Sequence, residues 1–454
     1  MKMIKTICAI GVVAASLNAS NVMAKVSAEE AAKLGVSLTP VGAEMAGNAD
    51  GSIPKWTGGL KEIPAGFESG KPYINPYSDD KPLFVIDKSN LDKYKDKLTE
   101  GQQRMLSKYA TYKMKVYPSR RTISYSDEQV EYAKKNAINA EMIDGGNGIK
   151  NFEGYVPFPI IKQPIELIWN HIMRNRGGGF ERNSIQATPT EGGSFQPVQF
   201  YEEFSTRFNL VDFESNTDEN VYFYFKQMVT APARLAGNVL LVHETIDQVK
   251  EPRRAWIYNA GQRRVRRAPQ VGYDGPGTAS DSLRTADQFD GYNGAPDRYN
   301  WKLEGKQELY IPYNSYDLDD KKYKYDDLIK PGHLNPEPAR YELHRVWKLT
   351  GTLKEGQRHI YSKRTLYIDE DSWAIMVADH YDGRGELWRN YEAHNKFFYD
   401  VQAPFTTIES GHDLLSGRYI TGGLANEIPL RLNFATKFKS SDFTPAALRR
   451  SGQR

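Results

Sequence analysis

The sequence has little cysteine: Cys8 is the only one among 454 residues. Cys8 lies in an N-terminal segment that we expect to be removed. The mature chain is therefore expected to contain no disulfide, no thiolate metal ligand and no cysteine nucleophile. Stability must then come from the burial of apolar side chains, and a chain of this length can build a sizeable core.

Long apolar runs are also absent, because no segment approaches the roughly twenty residues needed to cross a bilayer. The apolar run near the N-terminus, from Ile7 to Leu17, is short. It follows two lysines and precedes a small-residue cleavage pattern that ends at Ala24. This arrangement is typical of a cleaved signal peptide (residues 1–24), so the protein is predicted to be exported.

A strong charge of one sign is missing as well. The formal net charge is +3, with 26% charged residues, whereas nucleic-acid-binding domains carry a pronounced basic field. Export argues against the same partner, so no nucleic-acid binding is predicted. Residues 251–277 are nevertheless locally basic, and their arginines need a separate explanation.

Motifs for catalysis are missing too. The sequence has no G-x-S-x-G, H-E-x-x-H or P-loop pattern. Ser410, His412 and Asp413 are close neighbours along the chain, whereas the members of a catalytic triad converge from separated positions. We therefore predict that the protein is not an enzyme and that it needs no cofactor.

Histidines are few and scattered. His344, His359, His380 and His394 fall on four successive predicted strands, where they could converge on a metal ion. The residues around His344 and His359 alternate in a way that instead favours solvent-facing or hydrogen-bonded side chains. No metal site is predicted.

Aromatic residues are abundant: the chain has 28 tyrosines, 19 phenylalanines and 7 tryptophans. Such residues favour β-strands and line pockets for apolar ligands. From about residue 195, polar and apolar residues alternate in eight or more segments separated by short turns. The pattern predicts an antiparallel meander over residues 191–400. A loop-rich C-terminal tail, residues 401–454, is predicted to pack on the sheet and to end in a helical turn begun by Thr444.

The region before the strands, residues 25–190, is predicted to be helical and rich in loops. Serine N-caps indicate helices after Ser27 and after Ser126. Pro164 indicates the first turn of another helix.

Two further helices are predicted from apolar periodicity and from capping residues. One runs from Leu91 to about Tyr112 with a break near Gly101. The other is a short helix between the two groups of strands, capped by Ser280 or Ser282.

Several segments closely resemble the family catalogued as domain of unknown function 1329: AGNADGSIPKWTGGL, EPRRAWIYNAGQRRVRRAPQ and RHIYSKRTLYIDEDSWAIMVADHYDGRGELWR. The resemblance covers essentially the whole mature chain. Members of that family are exported proteins of Gram-negative bacteria. The resemblance therefore implies a periplasmic location, which is compatible with peripheral association with a membrane.

That family is grouped with LolA and LolB, the periplasmic carriers of outer-membrane lipoproteins. The resemblance implies an α+β fold in which an open, curved antiparallel sheet, a half-barrel, is covered by helices over an apolar cavity. It also implies two partners, an inner-membrane transporter of the RND superfamily and a second, outer-membrane-associated protein. LolA and LolB are less than half as long as this chain, so the helical N-terminal region has no counterpart in them and lipoproteins are not assumed as cargo.

Alternating apolar residues of the predicted strands are candidates for the wall of that cavity. The alternative is that they fill an ordinary core, because a cavity needs more apolar wall than the remaining side chains can fill. The candidates are Phe204, Phe208, Phe223, Phe225, Trp256, Tyr258, Trp347, Trp373 and Ile375.

Residues 251–277 form a predicted β-hairpin at an edge or rim of the sheet, because unpaired guanidinium groups are costly to bury. Its arginines are candidates for a cationic rim that binds an anionic head group through bidentate contacts. They are Arg253, Arg254, Arg263, Arg264, Arg266 and Arg267. One alternative is docking to an acidic partner surface. The other is ion pairing with four nearby acids, Asp281, Asp287, Asp290 and Asp297.

The sequence thus predicts a periplasmic binding or carrier protein for a hydrophobic or amphipathic, lipid-like molecule that works with an RND-superfamily transporter. One alternative is a structural accessory subunit of an envelope transport complex. The other, with less support, is an enzyme that acts on a lipid.

Overall fold

The computed structural model describes residues 26–214, 220–268, 271–429 and 432–452. The predicted signal peptide, residues 1–24, lies outside these ranges. Within them, no helix has the length and the apolar character that a membrane span requires.

The helices are short and begin at local capping signals. The hydroxyl oxygens of Ser27, Ser126 and Thr444 accept hydrogen bonds from the backbone N–H groups three residues later, which confirms three predicted starts. Pro164 is the first residue of a fourth helix, also as predicted. The α-helices are α1 (Ala28–Ala31), α2 (Leu91–Tyr94), α3 (Glu100–Lys108), α4 (Asp127–Asn139), α5 (Pro164–Ile172), α6 (Tyr325–Leu328) and α7 (Pro445–Ser451).

The helix predicted from Leu91 to about Tyr112 is not one element. α2 ends at Tyr94, and a short 3-10 turn leads to Thr99, whose extended backbone (φ −71°, ψ 163°) interrupts the helix. The Thr99 hydroxyl then caps α3. The break therefore lies just before Gly101 and is caused by a helix start rather than by the glycine.

The short helix predicted at Ser280 or Ser282 is wrong. Ala279, Asp281 and Ser282 have left-handed backbone conformations with φ of 50°, 48° and 63°, and a right-handed helix cannot contain such residues. The segment forms turns and a 3-10 turn, Ala286–Gln288.

The strands occupy most of the second half of the chain, and several short ones lie in the N-terminal region. In the first half they are β1 (Phe84–Ile86), β2 (Met114–Val116), β3 (Glu141–Ile143), β4 (Gly148–Lys150), β5 (Gly179–Ala187), β6 (Val198–Thr206) and β7 (Phe223–Ala231). Then follow β8 (Val239–Glu244), β9 (Arg254–Asn259), β10 (Arg264–Arg267), β11 (Tyr299–Pro312), β12 (Tyr341–Leu353) and β13 (Lys363–Asp369). The last are β14 (Ile375–Tyr381), β15 (Leu387–Phe398), β16 (Ala403–Asp413), β17 (Tyr419–Leu424) and β18 (Leu432–Asn433).

Two antiparallel meanders, β11–β17 and β5–β10, join edge to edge through β17 and β5 into one 16-stranded sheet. β1 and β2 extend the sheet beside β12, and β18 adds to β5. β1 and β10 are the two ends of the main strand order, and β11 pairs with β12 off that path. The predicted α+β architecture with one large, open, curved sheet is therefore confirmed.

The sheet extends beyond both limits predicted for it at residues 191 and 400. β5 precedes the first limit, and β16 and β17 follow the second. The N-terminal and C-terminal regions thus contribute strands to the sheet as well as covering it.

Helices of the N-terminal region cover both faces at the centre of the sheet. In α5, Leu167 and Ile168 pack in one buried cluster with Tyr391 of β15. The next residue of β15, Glu392, points to the opposite face and accepts a hydrogen bond from Gln102 of α3 (3.0 Å). This double cover explains why β13 to β16 are almost entirely buried.

Along β7–β9, the two faces of the sheet contact different parts of the chain. Phe225 and Val242 point to the face that α5 covers, which we call the inner face. Tyr224 and Leu241 point to the outer face, where they pack with Leu448 of α7. The C-terminal helix predicted at Thr444 therefore covers the outer face, while the inner face of this part of the sheet faces a cavity.

A candidate ligand-binding groove

A cavity of about 130 Å³ lies on the inner face of β5–β8. Residues of the segment between β10 and β11 close it from the other side. Its size is comparable with the roughly 150 Å³ apolar cavity that holds a benzene ring. The apolar lining residues are Ile185, Phe200, Phe223, Phe225, Leu240, Val242, Val271 and Phe289.

Two smaller cavities, of about 40 and 50 Å³, continue from the first one. The middle cavity shares Phe225 and Phe289 with the main cavity and Phe405 with the third. Arg182 and Gly423 line all three. We call this continuous row of cavities the phenylalanine groove.

Gly423 lines the groove without a side chain that would fill it. Its backbone has φ +86°, at an irregularity in the pairing of β17 with β5, and this conformation favours glycine. A Cβ atom at Gly423 would lie 2.2 Å from the carbonyl oxygen of Thr407. The absence of a side chain therefore allows close strand packing and leaves the space above it open.

Two pairs of opposite charge line the main cavity of the groove. Arg253 Nε donates to Glu244 Oε2 at 2.8 Å, and Arg284 pairs with Glu409. Burial raises the pKa of Glu409, while the guanidinium of Arg284 opposes that rise. The groove therefore combines an apolar wall with charges that are already neutralised in pairs.

Three of the predicted cavity-wall residues line the groove. Phe223 and Phe225 belong to the main cavity, and Phe204 and Phe225 belong to the middle one. The other predicted wall residues lie elsewhere: Phe208, Trp256, Tyr258, Trp347, Trp373 and Ile375.

Four of these six residues belong to the filled core, which was the alternative interpretation. Trp373 and Ile375 are buried in the central cluster, and Phe208 and Trp347 pack against it. The indole N–H of Trp373 donates to the Val41 carbonyl oxygen (3.1 Å), which ties the N-terminal region to the sheet.

Trp256 and Tyr258 lie on the outer face of the sheet, so the prediction that they line the cavity is wrong. They pair in register with Leu241 and Val239 of β8 and share their outer face. Alternation along β9 then directs Ala255 to the inner face. A sequence shows which residues of a strand share a face, but not which of the two faces meets the cavity.

The arginines of residues 251–277 do not form a common rim. Arg253 lines the main cavity, whereas Arg254 pairs with Glu251 on the rim of the hairpin (3.5 Å). The other four arginines are exposed on the β9–β10 hairpin, and no ion pair forms with them among the described residues: Arg263, Arg264, Arg266 and Arg267.

The ion pairs predicted between these arginines and the four nearby aspartates are wrong. Asp281 pairs with Arg418, and Asp287 pairs with Arg364. Asp290 holds two arginines of the segment after α5, and Asp297 accepts a hydrogen bond from the Tyr273 hydroxyl. Three of the four acids thus pair with arginines that are distant in sequence.

Arg182 is the main groove residue that sequence reasoning missed. It lies in β5, before the predicted start of the sheet, and it pairs in register with Glu202 of β6. Opposite charges in the segments GFERNSIQA and VQFYEEFST were the available signal, but the register that joins them depends on the folded sheet.

The four histidines predicted to be solvent-facing or hydrogen-bonded do not face solvent: His344, His380 and His394 are buried, and the side chain of His359 is covered. The hydrogen-bonded alternative holds for two of them. His344 bonds to Glu342 (3.0 Å) and His359 bonds to Asp287 (3.1 Å), so these two do not share a site. Burial lowers the pKa of His394 to about 4, and it also holds the pKa of His380 well below its usual range.

Within the described part of the chain, one group of side chains offers metal-ligand atoms within 4.8 Å of one another: His344, Asp369 and Asp371. Both carboxylate oxygens of Asp371 already accept hydrogen bonds from Arg121 (2.9 and 2.6 Å). These contacts account for Asp371 as a member of a buried ion-pair network, and we assign no metal to the group.

A family model described as protein of unknown function (DUF1329) matches residues 85–449. A Pseudomonas aeruginosa protein described as uncharacterized protein PA3922 is 58% identical over 455 residues, covering 100% of both chains. A solved putative outer membrane lipoprotein-sorting protein domain from Vibrio parahaemolyticus is 12% identical, with a TM-score of 0.43 over 61% of this chain and 94% of that one. A DUF1329 family protein from Desulfovibrio piger is 14% identical, with a TM-score of 0.42 over 60% of this chain and 92% of that one. The chain belongs to the DUF1329 family.

Proposed function

We propose that this protein is a periplasmic binding or carrier protein for a hydrophobic or amphipathic molecule. The observation that carries the proposal is the phenylalanine groove, in which apolar side chains of β5–β8 face Phe289 across an open cavity. Apolar walls around a pre-formed cleft, with a few placed polar groups, are the usual features of a site for a small molecule.

The proposed mechanism is passive. Apolar ligand surface removed from water contributes roughly 25 cal/mol per Å² to affinity, and movement of the segment between β10 and β11 controls entry and release. That segment supports this role because its described residues form turns and two short 3-10 turns, Ala286–Gln288 and Pro296–Arg298, instead of an α-helix.

We further propose that cargo passes between this protein and an RND-superfamily transporter of the inner membrane, with an outer-membrane-associated protein as the second partner. The exposed arginines at the end of the sheet support docking to an acidic surface of such a partner. Arg264 and Arg266 lie on one face of β10 and Arg267 on the other, so both sides of this edge strand are cationic.

Two alternatives remain as outcomes of the test. A structural accessory subunit would have a groove that takes no ligand. An enzyme acting on a lipid would need an acid–base group at the groove. No histidine lines its three cavities among the described residues, and the carboxylates Glu202, Glu244 and Glu409 are held there in ion pairs.

The test fills the groove with a larger side chain. Leu240 lines the main cavity, so Leu240→Trp is expected to occupy its space and to weaken binding of N-phenyl-1-naphthylamine, an apolar fluorescent probe, at least about tenfold. Leu415→Trp is the matched control, because Leu415 is 66% exposed in the turn after β16. Probe fluorescence is titrated with each purified variant.

The carrier proposal requires that the wild-type protein and Leu415→Trp bind the probe equally. Absence of probe binding to the wild-type protein would favour the structural subunit. Equal binding by Leu240→Trp would show that the probe uses another surface and would remove the groove from the proposal. Thermal unfolding of each variant establishes that it is folded.

A further inference from the structure

Arg182 is a charged residue at the point where the cavities of the phenylalanine groove meet. It lies in β5, lines all three cavities and is therefore at their junction. Its side chain is 16% exposed. The guanidinium carbon is 5.4 Å from the ring centre of Phe405 and 5.8 Å from that of Phe180. Two aromatic faces thus hold the charged group at the centre of an apolar groove.

The terminal nitrogens of Arg182 have no acceptor among the described residues. Nε donates to Glu202, and Glu202 also accepts a hydrogen bond from Gln227 Nε2 (2.6 Å). Nη1 and Nη2 take no part in these bonds. The four N–H bonds of Nη1 and Nη2 therefore have unused hydrogen-bonding capacity in a residue that lines all three cavities.

The terminal nitrogens of the other arginines of the groove already donate hydrogen bonds to protein acceptors. Arg253 donates from all three nitrogens, to Glu244 and to three backbone carbonyl oxygens. Arg176 likewise donates from all three, to Asp290 and to backbone oxygens. Arg284 donates from both terminal nitrogens, to Glu409 and Gln186. These three guanidinium groups are structural, and Arg182 differs from them.

The chemistry of a free guanidinium fork defines what it can bind. Its two parallel N–H directions match the two oxygens of a carboxylate or a phosphate. The nearest acids do not compete for it, because Glu202 already bonds through Nε, and Glu409 has Arg284 and the Tyr391 hydroxyl as donors.

We propose that Arg182 binds the acidic head group, a carboxylate or a phosphate monoester, of an amphipathic ligand whose apolar chain lies in the phenylalanine groove. The inference rests on the proposed carrier function and specifies its ligand class. Because cavities extend on both sides of Arg182, the acid lies within the groove, with apolar wall available in either direction.

The test compares a fatty acid with its neutral ester. Fluorescent cis-parinaric acid and its methyl ester have the same chain and differ in the charge of the head group. The wild-type protein is expected to bind the acid about 10- to 100-fold more tightly, the range of hydrogen bonds to charged groups. In Arg182→Gln, affinity for the acid is expected to fall to that of the ester, and affinity for the ester to stay unchanged.

Two further variants control for the loss of an arginine elsewhere and for the unpaired Glu202 that Arg182→Gln leaves. Arg418→Gln, which removes a surface arginine paired with Asp281, is expected to keep the wild-type preference for the acid. Arg182→Gln leaves Glu202 buried without its ion-pair partner, so the double variant Arg182→Gln/Glu202→Gln is measured beside it. Unchanged binding of the ester shows in both cases that the groove is intact.

Competition identifies the source of the acidic group. Oleate and lysophosphatidic acid are used separately to displace cis-parinaric acid. A competitor whose own affinity is about 10- to 100-fold lower at Arg182→Gln than at the wild-type protein supports the inference. Equal wild-type affinity for acid and ester, or a preference that survives in Arg182→Gln, overturns it while leaving the carrier function standing. Failure of both probes to bind the wild-type protein overturns the carrier function itself.

Discussion

Asp290 joins two buried arginines at a single carboxylate. Arg174 Nη2 lies 2.6 Å from both of its oxygens, and Arg176 donates from Nε and Nη2 at 2.9 and 2.8 Å. Burial alone would raise the pKa of Asp290, but the two guanidinium groups hold it well below its usual range. The Asp290 carboxylate is therefore the counter-ion of Arg174 and Arg176, which follow α5 in the sequence.

Asp290→Asn is expected to lower the free energy of unfolding by about 3–5 kcal/mol, because it leaves two buried guanidinium groups without their counter-ion. Asp281→Asn is the matched control. It breaks an ion pair with Arg418 in which the aspartate side chain is 58% exposed, and such surface pairs contribute at most about 1 kcal/mol. Urea denaturation of both variants at pH 7 measures the difference. Equal effects of the two substitutions would contradict the role of Asp290.

The pH dependence of the same variant has a defined sign. The pKa of Asp290 is lower in the folded protein than the ordinary value of about 3.9 that applies to the unfolded chain. Its stabilising contribution is therefore complete above about pH 5 and is lost as the pH falls through the unfolded-state pKa towards the lower pKa of the folded protein. The difference between wild type and Asp290→Asn should accordingly shrink below pH 4 and stay constant from pH 5 to pH 7.

At the scale of elements, helix α3 packs unusually closely on the sheet. The backbone N–H of Gly101 donates to Asp379 (3.2 Å). A Cβ atom at Gly101 would lie 2.2 Å from Asp379 Oδ1 and 2.3 Å from Asn390 Nδ2. These two side chains are hydrogen-bonded to each other (3.0 Å) and cannot separate without losing that bond.

Gly101→Ala is therefore expected to destabilise the protein by about 1–3 kcal/mol through overpacking. The usual effect in a helix is the opposite, a gain of about 0.5–1 kcal/mol. Gly383→Ala is the control, because a Cβ atom there meets no neighbour within 4 Å, and surface changes of this kind stay within about 0.5 kcal/mol. A stabilised Gly101→Ala protein in thermal unfolding would contradict the close packing of α3.

Local sequence patterns predict the positions of strands and helices well, but they do not predict which residues pack against those strands and helices. The segment YELHRVWKLTGTL forms β12 along its full length, and three capped helices start where their hydroxyl residues lie, because both features depend on neighbours in sequence. The face of Trp256 and the partner of Arg182 depend instead on which strands lie beside β9 and β5. Sequence periodicity leaves these choices open, so the groove was only partly predicted.

At the scale of the whole molecule, the compartment is the first property to measure. The apolar run and cleavage pattern that end at Ala24 are expected to direct export of the chain to the periplasm. N-terminal sequencing of protein released by osmotic shock is expected to start at Lys25. Recovery of the full-length chain with Met1 in the cytoplasmic fraction would contradict both the location and the proposed carrier function.

The junction between the two meanders has a consequence for how the chain folds. β5 pairs with β17 through Ile185, Gln186 and Ala187 against residues 421–424, more than two hundred positions later in the sequence. During export the N-terminal part of the chain crosses the membrane first. The edge of β5 that pairs with β17 therefore stays unpaired until almost the whole polypeptide has crossed. Such long-range pairing is slow, and an open strand edge invites association with other chains. Newly exported molecules should therefore depend on holding chaperones until β17 arrives.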